Sequence, residues 1–242
     1  MFSMFSKSKF GFLEKLEFLQ TFASYVISKV QPAVIHNLEK YQAIKKIFYL
    51  SAIEDIEGDY LEFGMYTGSS FCHAIRCSKD LIKINQEMKK MRFYGFDSFE
   101  GFGNIDENEK HPFYEDQNFS TDIVRVKRRV SKVSKLKNFK IIPGFFEDSL
   151  KQGPSSYGIT KSRIIFIDSD TYSSAKEALQ FSLSTIQSGT FIILDDFYSY
   201  KGDKSLGIAG AFNEFIEENH LSTRRVLDYG MGGIVFVIKK QD

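Results

Sequence analysis

Two rhythms of apolar residues run through this chain. In residues 10–30, Phe12, Leu13, Leu16, Leu19, Phe22, Tyr25 and Val26 recur at helical spacing with Lys and Glu between them, which predicts an amphipathic helix. A second helical stretch covers about residues 43–56. From Asp59 onward the pattern changes to short apolar runs at residues 59–63, 91–97, 140–143, 163–167 and 191–194, each ending near a Gly or an Asp. Between them lie stretches with helical spacing: from Ser69 through about Met91, then residues 124–139, 174–184 and 209–218. The run at 164–167 has no polar alternation, so it reads as a strand buried on both faces. Residues 224–229 and 234–239 flank the turn Gly230-Met-Gly-Gly233 and predict a hairpin. This alternation predicts a three-layer α/β fold: a mostly parallel sheet with one antiparallel strand near an edge and helices on both faces. Residues 1–57 read as an N-terminal helical extension and 58–242 as one α/β domain.

Composition narrows the class. The 242 residues are 43% hydrophobic and 26% charged with a net charge of +1, ordinary for a globular protein and no invitation to nucleic acid. The basic stretch 124–139 carries Val126, Val130, Val133 and Leu136 at helical spacing without interleaved aromatics, so it reads as a helix with a solvated Lys/Arg face. Cys72 and Cys77 fall in one helical stretch, as core residues of a protein in a reducing compartment would. No apolar run is long enough to cross a bilayer, and Glu14 and Glu17 interrupt the N-terminal segment. A cytoplasmic protein is expected. The first helix, with charges of both signs, suits packing or a homodimer or higher homo-oligomer better than a membrane surface.

The chemistry gathers at strand ends. Arg163-Ile-Ile-Phe-Ile-Asp-Ser-Asp-Thr-Tyr172 closes on Asp168 and Asp170, and Phe191-Ile-Ile-Leu194 closes on Asp195 and Asp196. In open α/β sheets ligands bind outside the carboxyl ends of the strands. Acids converging there repel one another, and a hard divalent cation or a retained proton relieves the repulsion. Carboxylate ligands select Mg²⁺, Mn²⁺ or Ca²⁺ over Zn²⁺. The competing view is that Asp168 or Asp170 only caps the following helix.

A second constellation is Asp59-Tyr-Leu-Glu-Phe-Gly-Met-Tyr-Thr-Gly-Ser-Ser70, a strand, a glycine turn and a helix start. Gly64 and Gly68 permit a tight turn, and Thr67, Ser69 and Ser70 offer hydroxyls and N–H groups at the helix N-terminus. It is neither a P-loop nor the dinucleotide fingerprint. Asp97 ends the next strand, placed to accept from both hydroxyls of a ribose, or alternatively to form a capping box with Glu100. Residues 102–123 lack periodicity and read as a lid or binding loop in which His111, Phe113 and Tyr114 face substrate or solvent. Phe145 and Phe146 after Gly144 are suited to flank a flat base, or to fill core.

Taken in order, Glu62-Phe-Gly with Gly68-Ser-Ser, Gly95-Phe-Asp-Ser-Phe-Glu-Gly101, Gly144-Phe-Phe-Glu-Asp148, Ile167-Asp-Ser-Asp-Thr-Tyr172 and Leu194-Asp-Asp-Phe197 resemble the macrocin O-methyltransferase family from about residue 58 to the C-terminus. The glycine turn departs from the family: Met65-Tyr-Thr-Gly-Ser69 stands where an aromatic and Arg-Gly-Gly-Ser are usual. The resemblance implies a Rossmann-like class I methyltransferase fold with a seven-stranded sheet, S-adenosylmethionine as cofactor, Mg²⁺ or Mn²⁺, and a small-molecule hydroxyl acceptor, sugar-bearing or another vicinal diol. It assigns Asp168, Asp195 and Asp196 to the metal and Asp170 to the general base. It places Glu62, Gly64, Met65, Tyr66, Thr67, Ser69 and Ser70 around the methionine part of the cofactor. Asp97 and Ser98 fall at its ribose, Gly144, Phe145 and Phe146 near its adenine, and Asp168 beside it. Three alternatives stay open from the residues: an Asp-x-Asp phosphatase, with Asp168 as nucleophile and Asp170 as acid; a metal-dependent glycosyltransferase; and a cofactor-binding subunit without catalysis.

Overall fold

The computed structural model describes residues 16–103, 105–113, 119–135 and 138–241. Phe12, Leu13, Tyr114 and Leu136 of the patterns above lie outside the described residues. Seven strands form one sheet: β1 (Asp59–Phe63), β2 (Phe93–Asp97), β3 (Phe139–Pro143), β4 (Ser162–Ile167), β5 (Phe191–Leu194), β6 (Ser222–Tyr229) and β7 (Gly233–Lys239), in the order β3-β2-β1-β4-β5-β7-β6. All neighbours up to β5 pair in parallel, and β7 runs antiparallel between β5 and the edge strand β6. The order reverses between β1 and β4, which opens a crevice at their carboxyl ends.

Each face of the sheet carries its own core. On one, Ile44, Ile47 and Phe48 of α2 (Pro32–Ile53), Phe71 and Ile75 of α3 (Ser69–Leu81), and Val126 and Val130 of α4 (Ile123–Val133) pack against Tyr60, Phe93 and Phe166. On the other, Ala175 and Leu179 of α6 (Tyr172–Ser182) and Phe212 and Phe215 of α7 (Gly207–Glu218) cover Phe63, Ile165 and Ile192. The one-turn helix α5 (Phe146–Ser149) follows β3. Cys72 and Cys77 are free thiols buried in α3, as core packing predicts.

Boundaries differ from the sequence expectation where polar residues hide or imitate periodicity. The second helix begins at Pro32 rather than 43, because its buried stripe runs on through His36 and Lys40, two polar residues that mask the pattern. Pro32 suits the start, since the first helical N–H has no partner in any case. Helix α3 stops at Leu81, ten residues early, and Asn85 then caps a separate short turn by accepting from the Glu87 N–H at 2.9 Å. Helix α4 starts behind Asp122, which caps the Val124 N–H at 2.8 Å, and keeps Arg125, Lys127, Arg128 and Arg129 in solvent. The first helix is α1 (Glu17–Lys29), and none of its residues is buried. By contrast α2 belongs to the core of the α/β domain, so a boundary at residue 57 separates a helix from the sheet it covers. Among the described residues no helix is long and apolar enough to cross a membrane.

Candidate active site

The crevice between β1 and β4 is held open by a glycine. A Cβ at Gly64, where φ is +89°, would lie 1.8 Å from the Asp168 carbonyl oxygen, so no side chain fits where the two strand ends meet. Gly68, at φ +70°, forms the N-cap of α3. Asp97 leaves the end of β2 and accepts from the Tyr66 N–H at 2.7 Å and the Phe99 N–H at 2.6 Å. Burial pushes its carboxyl up, and these N–H bonds oppose that. No helix begins behind Asp97, so the capping-box alternative has nothing to cap. Gly64, Tyr66, Asp97, Ser98, Phe145, Phe146 and Asp168, seven of the sequence-predicted site residues, line one open cleft of about 550 Å³ together with Phe102 and Phe119.

The other predicted residues sit outside that lining. Glu62 is wholly buried, and its two oxygens accept from the Tyr60 hydroxyl at 2.5 Å and the Ser70 hydroxyl at 2.6 Å. It braces the turn from beneath. Burial raises its carboxyl to about 7, even against those two hydrogen bonds. The Met65 side chain is buried under β2, where a Cβ at Gly95 would strike its sulfur at 2.0 Å. The Thr67 carbonyl accepts from Arg129 at 3.1 Å, Ser69 opens α3, and Gly144, at φ +128°, turns the chain after β3 with its N–H on the Asp97 carbonyl at 3.0 Å.

On the other side of Asp168 lies the acid cluster. One oxygen each of Asp168, Asp195 and Asp196 lie within 4.8 Å of one another. None of the acids caps α6. That role falls to Thr171, whose hydroxyl accepts from the Ser174 N–H at 3.3 Å. Asp170 and Asp196 hold left-handed backbone at φ +65° and +50°, uncommon for a residue with a Cβ and most frequent at functional sites. Burial and then the charges of Asp196 and Asp168 push the Asp170 carboxyl well up, and burial and the charge of Asp195 raise that of Asp196 beside it. Asp168 is likewise raised, by burial and the charge of Asp195.

Two residues that sequence reasoning did not single out complete the cluster. Lys40 places its ammonium 2.9 Å from Asp168 Oδ2 and 2.5 Å from Asp195 Oδ2. Burial works against the ammonium, but the two carboxylates overturn that and hold its pKa above the ordinary lysine range. His36, one helical turn earlier, places Nε2 3.2 Å from Asp195 Oδ2, while its Nδ1 accepts from the Met231 N–H at 3.1 Å. That second bond assigns the proton to Nε2, so a neutral His36 donates to Asp195. Burial acts to raise Asp195, and Lys40 with His36 reverses it, leaving the carboxylate below its usual range. A signal for both was present: His36 and Lys40 fall on the same stripe as Ala43, Ile44 and Ile47, and a lysine on an apolar stripe needs a buried partner.

The cluster suits a hard cation. Its donors are carboxylate oxygens, and the buried Tyr229 hydroxyl, kept protonated by burial and the Asp195 charge, faces Asp195. The loop predicted as a lid is fastened across this side. Glu109 accepts from the Ser173 N–H and hydroxyl, both at 2.8 Å, and its carbonyl accepts from the Tyr200 hydroxyl at 2.7 Å. The His111 ring lies 5.1 Å from that of Tyr200, whereas Phe113 is exposed.

Comparison with known proteins places this geometry in a lineage. Residues 34–224 match the model of the macrocin O-methyltransferase family, TylF. The match begins within α2, earlier than the residue near 58 at which the motifs begin. Mycinamicin III 3''-O-methyltransferase of Micromonospora griseorubida is 23% identical over 178 residues, 69% of this chain and 66% of that enzyme, just under two thirds of its length. Among solved structures, the O-methyltransferase NovP superposes with a TM-score of 0.67 at 16% identity, covering 84% of this chain and 80% of that one. The calicheamicin methyltransferase CalS11 gives 0.68 at 15% identity over 84% and 79%, and its apo structure, at 0.57, describes a TDP-rhamnose 3'-O-methyltransferase. The fold is that of the class I methyltransferases, and the chain belongs to the macrocin O-methyltransferase family.

Proposed function

We propose that the protein moves a methyl group from S-adenosylmethionine to a hydroxyl of a sugar-bearing small molecule, with a divalent cation held by the strand-tip aspartates. One observation carries the reading: Asp168 belongs both to the cleft that contains Asp97 and to the acid cluster, so cofactor and acceptor hydroxyl would meet at one strand end. Family membership supports the activity, and the TDP-rhamnose acceptor of CalS11 supports the substrate class. When bound, the sulfonium supplies an electrophilic methyl, and Mg²⁺ or Mn²⁺ on Asp168, Asp195 and Asp196 supplies acidity to a neighbouring hydroxyl.

The chain's own residues do the rest. Asp97, with one N–H already on each oxygen, keeps lone pairs for ribose hydroxyls, and Phe145 and Phe146 offer faces to a base. Tyr66 and the Gly64 turn border the methionine end, braced by Glu62 from below. Asp170, in its ionised form, accepts the acceptor's proton, and burial beside Asp168 and Asp196 makes it more basic than an ordinary carboxylate. The loop tied down through Glu109 and Ser173 restricts water at that side.

The test is calorimetry with S-adenosylhomocysteine beside labelled-methyl transfer to a panel of nucleotide sugars and glycosides. Asp170→Asn is expected to cut turnover by about 10²- to 10⁴-fold and to leave homocysteine-nucleoside affinity unchanged. Turnover at the wild-type rate in that variant would remove Asp170 from the reaction. The assembly read from the N-terminal helices rests on α1, where Phe18, Phe22 and Tyr25 stay 79%, 60% and 63% exposed, a stripe suited to a second copy of this chain. Light scattering should show Phe18→Ser/Phe22→Ser as a monomer beside an oligomeric wild type.

A further inference from the structure

Four carboxyl groups, Asp168, Asp170, Asp195 and Asp196, meet at two strand tips, and a single ammonium already stands among them. Lys40 reaches them from α2, and its side chain is only 9% exposed. Both of its contacts are to Oδ2 atoms, one on each strand. Its charge therefore ties the end of β4 to the end of β5. We propose that Lys40 is a positioning residue: a built-in counter-ion that preassembles the Asp168–Asp195 pair without metal and sets how tightly the cluster takes up a divalent ion.

The argument is one of charge and of donor atoms. With Lys40 in place, Oδ2 of Asp168 and of Asp195 are spoken for, and His36 adds a second donor to the latter. A dication entering the cluster meets the oxygens that remain, including Asp195 Oδ1, which neither Lys40 nor His36 engages, and meets a positive charge alongside. Affinity is then lower than the same four acids would give alone, while the strand ends stay together when the ion leaves. A lysine held charged between two carboxylates cannot serve as the base, which leaves that role with Asp170.

This inference rests on the cluster being a metal site, as the proposed function holds, and the experiment separates the two. The full-length wild type, Lys40→Met and Lys40→Arg are titrated calorimetrically with MgCl₂ and MnCl₂ and melted in EDTA and in Mg²⁺. Removing one unit charge a few Å from a dication, even at water-like screening, is expected to tighten Mg²⁺ binding by about tenfold to a hundredfold in Lys40→Met. In EDTA that variant should melt lower than the wild type and recover on adding Mg²⁺, while Lys40→Arg should follow the wild type in both arms. EDTA should lower the wild-type melting temperature, relative to Mg²⁺, by less than it lowers that of Lys40→Met. If Lys40→Met proves too unstable to purify, Lys40→Gln carries the same comparison. Equal Mg²⁺ affinity in wild type and Met variant, or a wild type whose melting temperature falls in EDTA as far as the variant's, would overturn the proposal. S-adenosylhomocysteine binding is measured in parallel: its absence from the wild type would sink the methyltransferase reading whatever Lys40 does to Mg²⁺.

Discussion

The two halves of the crevice solve the same problem, a buried carboxylate, in different ways. On the β1–β2 side, Glu62 and Asp97 are satisfied by neutral donors from nearby chain: two hydroxyls for the first, two backbone N–H groups for the second. On the β4–β5 side, Asp168 and Asp195 are held by a full positive charge delivered from a helix more than a hundred residues away. Burial prevails over the neutral donors at Glu62, whose carboxyl is raised, whereas Lys40 and His36 together draw Asp195 below its usual range, even as Asp168 on the same ammonium stays raised. The first arrangement fixes a shape. The second fixes a charge, which is what a cation site needs.

Substitutions on either side sharpen that contrast. Asp195→Ala is expected to have the largest effect, about 3–5 kcal/mol of lost stability by chemical denaturation, because it strands the buried Lys40 with one partner. A loss below 1 kcal/mol would mean the ammonium is better solvated than its burial implies. Gly64→Ala strikes the seam between the halves, and a left-handed backbone plus collision with the Asp168 carbonyl should cost about 3–4 kcal/mol together with both cofactor and metal affinity.

The Glu62 contribution should appear in the pH dependence. Its folded pKa of about 7 stands above the 4.5 of the unfolded chain, so its stabilising share is full below 4.5 and lost as pH rises through 7. At about 1.4 kcal/mol per unit that amounts to roughly 3 kcal/mol, and the Glu62→Gln profile should lack this fall. Parallel profiles for the two proteins would show that burial does not govern Glu62. The mildest change is Asp97→Asn, which keeps one acceptor but turns the amide NH₂ towards a backbone N–H. Loss of a charged acceptor is worth about 1.5–3 kcal/mol, a weakening of S-adenosylhomocysteine binding by roughly ten- to a hundredfold, with folding stability falling less than in Asp195→Ala.

Much of this was legible in the residues. Uninterrupted apolar runs at 164–167 and 191–194 could only be strands covered on both faces, and their sudden ends in Asp placed the acids at the carboxyl edge. The glycine turn and Asp97 marked the β1–β2 half of the crevice for the same reason: each depends on residues close in sequence, whose spacing is the geometry. Glu62 was harder. Its place at the end of β1 was plain, but whether it faces the cleft or lies beneath depended on Ser70 and Tyr60 turning towards it.

His36 and Lys40 show where local reading stops. Their helical spacing and their place on an apolar stripe are written in the chain, yet nothing within a few positions names the partner that makes a buried ammonium tolerable. By itself the sequence determined the strand-helix order, the antiparallel hairpin and the four aspartates at two strand ends, because alternation, period and turn chemistry act over a few residues. Only the tertiary structure decided that α2 leans over the β4–β5 edge and that its lysine stands between Asp168 and Asp195. An ion pair spanning 128 residues is set by how helix and sheet pack, and no short-range pattern encodes that distance.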